Sequence, residues 1–300
     1  MSREEWLEHR RRSIGGSDAS AILGMNPYSS PYMVWADKVG KLPDKEDNEA
    51  MRLGRDLEDY VAQRFTEVTG KKVRRENNIL INTIYPFAHA NVDRMIVGED
   101  AGLECKTTSI LNLKRFKNGE FPDTYYAQCV HYLAVTGCQR WYLGVLILGV
   151  GFEWFVIERD EDEIKALMKA ESEFWNYHVQ TNTPPLADGS EATTETITTL
   201  YPESNGAEVS LMAYESDLKQ YMTFSSLLDD VKRQRDEVAN RIKTFMGEAS
   251  KGIGSKHKVT WSSYDKSTFD HKRFAQENPH IDLTSYYKIT PCRPFKVSEI

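Results

Sequence analysis

The sequence has little of the features that mark secreted, zinc-stabilised or membrane-bound proteins. Its 4 cysteines among 300 residues form no C-x-x-C pair, so neither a zinc site nor a disulfide framework is indicated, and reduced thiols are expected. No run of about 18 apolar residues occurs, and the first residues lack the apolar stretch of a signal peptide. We therefore expect a globular protein of the cytoplasm that has no membrane partner.

An excess of positive charge is also lacking. The net charge of −7 argues against a protein that coats nucleic acid nonspecifically, because phosphate binding depends on Lys and Arg. Local basic clusters do occur at 10–12, 71–75 and 114–117. Each is compatible with contact to a DNA backbone or with an ordinary solvated surface. The 40% hydrophobic content and 6 tryptophans are enough for a sizeable core.

Residues 1–185 alternate helical and strand patterns and are predicted to form one α/β unit. The predicted elements are a helix from Ser17 after a Gly15-Gly16 turn, a long amphipathic helix at 49–69 closed by Gly70, strands at 73–81, 88–96 and 103–107, a helix at 125–135 ending at Gly137, a strand pair at 141–147 and 152–157, and a closing helix at 162–180. The order indicates a mixed sheet flanked by helices.

The remaining sequence is predicted to hold three segments. Residues 186–207, rich in Gly, Ser and Thr after two prolines, are predicted to be a linker. Residues 208–250 have apolar residues at three-four spacing, which predicts one long helix or a helical pair whose stripe packs on a partner subunit, another protein or the core. A small β-containing extension at 251–300 follows, with a strand at 258–262 and 285–297 returning beside it.

Acidic residues lie on a predicted β-hairpin at 91–106. Side chains alternate along a strand, so Glu104 and Lys106 project to one side, and Asp93 can join them from across the turn. Two carboxylates form a hard-oxygen site suited to Mg²⁺ or Mn²⁺, and a lysine can orient or deprotonate an attacking water, so the natural substrate is a phosphodiester. An acid-x-lysine pair alone is more often a solvated ion pair, so the interpretation depends on other residues.

Two further side chains extend this candidate site. Glu58, on the predicted helix at 49–69, is either a surface glutamate or a third carboxylate that binds a second metal or a metal-bound water. Gln128 lies in a mostly apolar helix with Tyr132 one turn later on the same face. Its amide is predicted to bond to the lysine, a carboxylate or the nucleophilic water, or else to be a core amide satisfied by backbone.

The N-terminal region has the residues of a phosphate site. Trp6 and Arg10 precede Ile14-Gly15-Gly16-Ser17-Asp18, in which glycines allow close backbone approach and the following helix offers unpaired N–H groups. The alternative is an ordinary turn with a helix cap. His89 and His131, the histidines nearest these motifs, are interpreted as structural residues, because magnesium prefers oxygen ligands.

Taken in order, these motifs resemble those of the YqaJ-type phage recombination exonucleases, a family of the PD-(D/E)xK nuclease superfamily that includes lambda exonuclease. The similarity rests on these motifs: Trp6-x-x-x-Arg10, Ile14-Gly15-Gly16-Ser17-Asp18-Ala19, Gly54-x-x-x-Glu58, Asp93, Glu104-x-Lys106 and Gln128-x-x-x-Tyr132. Val92 stands where the superfamily signature often has proline. The resemblance implies a restriction-endonuclease-like α/β core, a central mixed β-sheet flanked by helices, over residues 6–180.

The resemblance also implies a metal site. Asp93, Glu104 and the backbone carbonyl of Cys105 would ligate Mg²⁺, or Mn²⁺ in its place. Glu58 would contribute to a second ion, which gives two ions in all. These assignments come from the family pattern and add to what the strand alternation indicates.

Other roles come from the same resemblance. Lys106 would activate water with the help of Gln128, and Tyr132 would support that glutamine. Arg10 and Ser17 would hold a 5′-phosphate on the recessed strand, which is how such enzymes choose polarity.

The family digests double-stranded DNA ends 5′ to 3′ and leaves a 3′ overhang for a single-strand annealing protein. Its ring-forming members are homotrimers with DNA in a central channel, and a phage or prophage protein acting in a bacterial cytoplasm is expected. Two rivals stay open: a structure-specific or restriction-like endonuclease of the same superfamily, and a noncatalytic DNA-binding module. Closed circular DNA separates the first rival, because only an endonuclease nicks it.

Overall fold

The computed structural model describes residues 8–44, 47–288 and 292–298. The chain divides into two compact units, Met1–Tyr201 and Pro202–Ile300. Trp6, which belongs to the first sequence motif, lies outside the described residues. Among the described helices, none combines the length and the apolar composition that a membrane span requires.

The helices of the first unit include three that position the candidate site. In chain order they are α1 (Gly16–Ile22), α2 (Pro31–Lys38), α3 (Glu49–Thr69), α4 (Asp123–Thr136), α5 (Glu161–Glu173) and α6 (Glu191–Leu200). A 3-10 helix covers Ile110–Phe116, and a π-helical segment, Phe174–Val179, extends α5.

A five-stranded mixed sheet forms the centre of this unit. The strands of the first unit are β1 (Ile14–Gly15), β2 (Val73–Arg75), β3 (Leu80–Ile81), β4 (Ala88–Ala90), β5 (Arg94–Ile96), β6 (Ala101–Thr108), β7 (Arg140–Ile147) and β8 (Gly151–Glu158). The central sheet has the order β2-β5-β6-β7-β8, with β6 and β7 parallel and the other pairs antiparallel. A smaller sheet has the order β1-β4-β3.

Helices cover the central sheet, as the sequence predicted. Helix α3 contacts β6 and β7, and α4 contacts β7, α1 and α5. Leu103, Trp141 and Leu143 are fully buried beneath these helices, because strands that are covered by helices need apolar side chains along their length. The predicted mixed α/β architecture is therefore confirmed.

The ends of α3 and α4 follow helix-capping rules that can be recognised in the sequence. The side chain of Asn48 accepts a hydrogen bond from the Met51 backbone N–H (2.9 Å) and caps the start of α3. Gly70 and Gly137 end α3 and α4 in the left-handed conformation, with φ of 72° and 77°. The predicted helices at 49–69 and 125–135 are confirmed with these ends.

Two strand predictions and one turn prediction need correction, because the chain changes sheets. The segments 73–81 and 88–96, each predicted as one strand, are divided between the two sheets. Gly15, predicted to form a turn with Gly16, belongs instead to β1, which pairs in parallel with β4. Side-chain alternation shows that a segment is extended, but it does not show which neighbouring strand takes its hydrogen bonds.

The predicted linker at 186–207 contains a helix. Ser190 caps α6, and Thr193 and Thr196 of that helix are buried. The Thr193 hydroxyl donates to the Ser30 hydroxyl (2.7 Å) at the start of α2, in the same unit. Threonine has a weak intrinsic preference for helices, so its abundance indicated a linker, but tertiary packing overrides that preference here.

The second unit begins with one long helix, α7 (Glu215–Met246). A hairpin of β9 (Lys251–Ile253) and β10 (Lys258–Thr260) follows, and then α8 (His271–Glu277). The strand predicted at 258–262 therefore pairs with β9. The prediction that 285–297 returns beside it is wrong, since the described part of that segment holds no strand.

Gly102 provides a test of the central packing. A methyl group at Gly102 would stand 2.2 Å from the ring of Trp141, which is fully buried. We predict that Gly102→Ala lowers the free energy of unfolding by about 1–3 kcal/mol, because a fixed indole cannot move aside. The measurement is urea unfolding. Gly151→Ala is the control, since nothing lies within 4 Å of its added methyl group; equal losses in both variants would contradict the packing.

Candidate active site

Asp93 is fixed by the hairpin that the sequence predicted. Strands β5 and β6 are antiparallel, with Arg94 opposite Leu103. This register places Asp93 just before β5, where its Oδ2 accepts a hydrogen bond from the backbone N–H of Cys105 (2.7 Å). The first acid is therefore held against the strand that carries the other two candidate groups.

Glu104 and Lys106 form a close pair on one side of β6. The Nζ of Lys106 lies 2.5 Å from Oε1 of Glu104. Glu104 is only 3% exposed, and Leu103, on the opposite side of the strand, packs in the core. The predicted alternation is confirmed, and it brings a buried carboxylate together with an ammonium group whose side chain is 25% exposed.

The electrostatics of this group are dominated by burial and mutual charge. Burial, and then the charge of Glu104, raise the pKa of Asp93 well above its usual value, although Lys106 opposes the change. Burial disfavours the charged form of Lys106, but the carboxylates of Glu104 and Asp93 outweigh it and raise the lysine pKa. Lys106 is therefore an ammonium at neutral pH, and its charge interacts with the carboxyl groups of both Glu104 and Asp93.

The site residues fit a divalent cation. Glu104 Oε2 is buried and has no hydrogen-bond partner among the described residues, and a buried carboxylate oxygen without a partner is costly. A hard cation would satisfy this oxygen and offset the burial and the Glu104 charge that together raise the pKa of Asp93. No three His, Cys, Asp or Glu side chains converge as a metal-binding group in the described part of the chain, so the two carboxylates are the acidic donors here.

Glu58, the predicted third carboxylate, is ion-paired with Arg94. The buried Arg94 guanidinium donates to Glu58 Oε1 (2.5 Å), to Asp59 Oδ1 (2.5 Å) and to the carbonyl of Asp93 (2.5 Å). Glu58 remains near enough for its charge to raise the pKa of Asp93. The sequence analysis did not identify Arg94. The feature that could have indicated it is its position directly after Asp93, the acid of the hairpin.

Gln128 links the strand to helix α4. Its Nε2 donates to Glu104 Oε1 (2.8 Å) and contacts the hydroxyl of Tyr132 (2.8 Å). The predicted carboxylate partner is therefore confirmed, and the alternative of a core amide satisfied by backbone is wrong. Gly16 makes room for this contact, because a methyl group there would stand 2.6 Å from the Tyr132 ring.

The N-terminal motif is built around a buried acid. Asp18 accepts hydrogen bonds from Lys38 Nζ (2.7 Å) and from the Gly15 backbone N–H (3.0 Å), and Arg10 Nη2 lies 3.8 Å away. Burial opposes ionisation of Asp18, but Lys38 and Arg10 hold its pKa below the usual value. Ser17, the neighbouring residue, is exposed. Arg10 and Ser17 therefore belong to the same local structure.

A cleft of about 210 Å³ lies next to this motif and next to Gln128, the glutamine that bonds to Glu104. Ser17 and Gln128 both line it, together with Arg115, Tyr28 and Tyr125. The ring of Tyr125 lies 5.5 Å from Lys106 Nζ. Arg115, which the sequence offered only as part of the basic cluster at 114–117, lies in a position to contact an anion that enters the cleft.

His131 and Glu171 anchor helix α4 to helix α5. Both side chains are fully buried, and His131 Nδ1 lies 2.9 Å from the Glu171 carboxylate. His131 Nε2 faces the carbonyl of His89 (2.8 Å). Because both ring nitrogens face acceptors, the imidazolium fits this geometry. His89 itself bonds to Ser13 (2.8 Å), so both histidines have hydrogen-bond partners within the fold, as expected of structural residues.

The fold is a mixed α/β fold of the restriction-endonuclease-like type, and solved exonucleases share it. The alkaline exonuclease LHK-Exo of Laribacter hongkongensis superposes with a TM-score of 0.51 at 19% identity, over 66% of this chain and 100% of that protein. Its complex with dAMP gives a TM-score of 0.50 at 19% identity, over 60% and 94% of the two chains.

Sequence comparison then gives the family. Residues 5–139 match the YqaJ-like viral recombinase domain, and this segment contains every candidate site residue. The YqaJ protein of Bacillus subtilis (strain 168) is 41% identical over 305 aligned positions, which cover 100% of this chain and 95% of that protein. The chain belongs to the YqaJ family.

The buried His131–Glu171 pair gives a pH-dependent prediction. Burial disfavours the charge of His131, but Glu171 outweighs it and raises the histidine pKa. The stabilisation is therefore fully present below about pH 6.5, the unfolded-state pKa, and is lost as pH rises through the folded-state pKa. We predict that Glu171→Gln lowers the free energy of unfolding by about 3 kcal/mol near pH 6, and by less near pH 9.

The measurement is urea unfolding of both proteins at the two pH values. Glu173→Gln, on the same helix but 69% exposed, is the control and should change stability little at either pH. A loss in Glu171→Gln that is equal at both pH values would show that the pair is not an ion pair.

Proposed function

We propose that the protein is a metal-dependent exonuclease that digests double-stranded DNA from 5′ ends and leaves 3′ overhangs. The observation that carries the proposal is the close group of Asp93, Glu104 and Lys106, which Gln128 connects to a cleft that it lines together with Ser17. Membership of the YqaJ family and the exonuclease fold support it. The dAMP complex of LHK-Exo supports a deoxynucleotide as the ligand class.

Asp93, Glu104 and the Cys105 carbonyl would hold Mg²⁺, or Mn²⁺ in its place. The bound ion would supply charge stabilisation for phosphodiester hydrolysis and acidify a water. Two ions are proposed in all, with Glu58 contributing to the second, which requires that Glu58 leave or share its ion pair with Arg94.

Lys106 acts here as a cation. The carboxylates of Glu104 and Asp93 raise the pKa of Lys106 and favour its protonated form, and the ammonium would orient the attacking water by donating a hydrogen bond and balance the charge that develops on the phosphate. Gln128 supports this arrangement, because it bonds to the same Glu104 oxygen that contacts Lys106. Tyr132 in turn fixes the amide of Gln128.

The cleft supports a choice of strand polarity. Ser17 lies on its wall together with Gln128, and Arg10 lies near the same short helix through Asp18. We propose that Ser17 and Arg10 hold the 5′-phosphate while the scissile bond lies at the acidic group. Arg115, which also lines the cleft, would contact the phosphate backbone of the DNA. The proposed partners are DNA ends, a single-strand annealing protein and further copies in a homotrimeric ring.

The first experiment uses linear duplexes labelled on one strand, with and without a 5′-phosphate, beside closed circular DNA, in Mg²⁺ or EDTA. Magnesium-dependent loss of the 5′-phosphorylated strand with intact circles is the expected result. Nicked circles would indicate an endonuclease instead, and DNA binding without any cleavage would indicate a noncatalytic module.

Removing the charged site groups should abolish cleavage. We predict that Glu104→Gln and Lys106→Ala each lower the cleavage rate by at least about 10³-fold, because each removes several kcal/mol of charge stabilisation. Binding to duplex ends should persist in a gel-shift assay in EDTA. Glu153→Gln, an exposed glutamate on β8, and Lys169→Ala, an exposed lysine on α5, are the controls. Full activity in either site variant would refute the assignment.

The phosphate pocket gives a separate prediction. Ser17→Ala and Arg10→Ala should slow digestion of 5′-phosphorylated ends about 10- to 100-fold, since a hydrogen bond to a charged group contributes about 1.5–3 kcal/mol. Digestion of 5′-hydroxyl ends should change much less. Arg12→Ala is the control, because Arg12 is 69% exposed and pairs with Glu8. An equal loss on both kinds of end would mean that neither residue reads the phosphate.

A further inference from the structure

Helix α7 carries a regular heptad seam that is open to solvent. The seam consists of residues at alternating four and three spacing: Asp217, Tyr221, Phe224, Leu228, Val231, Arg235, Val238, Ile242 and Phe245. This spacing is the a and d pattern of a coiled coil. No residue of α7 is buried, and Leu228 and Val231 are 71% and 61% exposed. A helix of this kind gains its stability by covering the apolar stripe.

The two charged seam residues indicate what covers the stripe. Arg235 is the basic residue of the seam and Asp217 is the acidic one, and they lie 18 positions apart at an a and a d position. In an antiparallel pair of helices, a positions of one helix face d positions of the other. The two charges therefore become neighbours when two copies of α7 run in opposite directions.

We propose that α7 pairs antiparallel with α7 of a second copy of this chain, with Arg235 opposite Asp217 of the partner subunit. The two-fold register then sets Tyr221 opposite Val231 and Phe224 opposite Leu228, so every layer between the charges is apolar. Leu227 is 53% exposed. It lies close to the two-fold axis, where it would meet Leu227 of the partner subunit. The paired stretch between the two ion pairs is about 27 Å long.

Other arrangements of two copies leave charges unmatched. A parallel pair in register would set Arg235 against Arg235, and like charges in a seam are destabilising. An antiparallel pair shifted to set Tyr221 opposite Phe245 would bury Arg235 against Val231 without an acid, which carries a large desolvation cost.

The groups now near the seam do not prevent the pairing. Arg235 forms an ion pair with the adjacent Asp236 while it remains 71% exposed, and such a surface pair contributes little. The ring of Phe295 packs edge-on against Tyr221, with centroids 5.6 Å apart. Phe295 is itself 75% exposed, so it widens the apolar surface.

The test is the mass of the full chain in solution, measured by sedimentation over a range of concentrations. The wild type should contain an even number of chains: two if α7 pairs alone, or six if α7 joins two of the proposed trimeric rings. Asp217→Arg and Arg235→Asp should each halve the mass, because each places like charges in both end layers. The double variant, and an equimolar mixture of the two single variants, should restore it, since both recreate an acid opposite a base.

Circular dichroism keeps the outcome interpretable, because each variant should retain the helical signal of the wild type. Arg233→Asp, a change at an exposed position on the outer side of α7, is the matched control and should leave the mass unchanged. A wild-type mass that Asp217→Arg leaves unaltered would overturn the proposal. Halved masses that neither the double variant nor the mixture restores would overturn it as well.

Discussion

The buried carboxylate of Glu104 is the constraint on which the candidate site depends. A carboxylate removed from water needs charge or hydrogen bonds at each oxygen. One oxygen receives Lys106 from the same strand and Gln128 from α4. The other oxygen has no partner among the described residues. The satisfied oxygen locks the strand to the helix, and the unsatisfied one provides the reason for expecting a cation.

Helix α4 holds this arrangement because its polar residues share one buried face. Gln128, His131 and Tyr132 lie three and four residues apart, so they project to neighbouring positions along the helix. His131 ties that face to α5 through Glu171, and Tyr132 packs where Gly16 of α1 leaves space. The packing of three helices therefore fixes the Gln128 amide that bonds to Glu104. A loss of that packing would also disturb the charged pair of Glu104 and Lys106 on the neighbouring strand.

What the sequence could predict here was local. The alternation of β6 placed Glu104 and Lys106 on one side, and glycines marked the ends of two helices. The ion pair of Glu58 with Arg94 was not predictable in this way, because it joins residues 36 positions apart. The same holds for the contact of Thr193 with Ser30, which turned an expected linker into a helix. Such pairings depend on topology, which periodicity does not encode.

Symmetry relates the proposed ring to the proposed helix pair. A homotrimeric ring has a three-fold axis, whereas antiparallel pairing of α7 requires a two-fold axis between two chains. The two interfaces cannot both close within three chains. If both form, each α7 must pair with a chain of another ring, and the smallest closed assembly has six chains in two rings. The α7 contact would then join two rings, whereas without the ring the same contact would give a simple dimer.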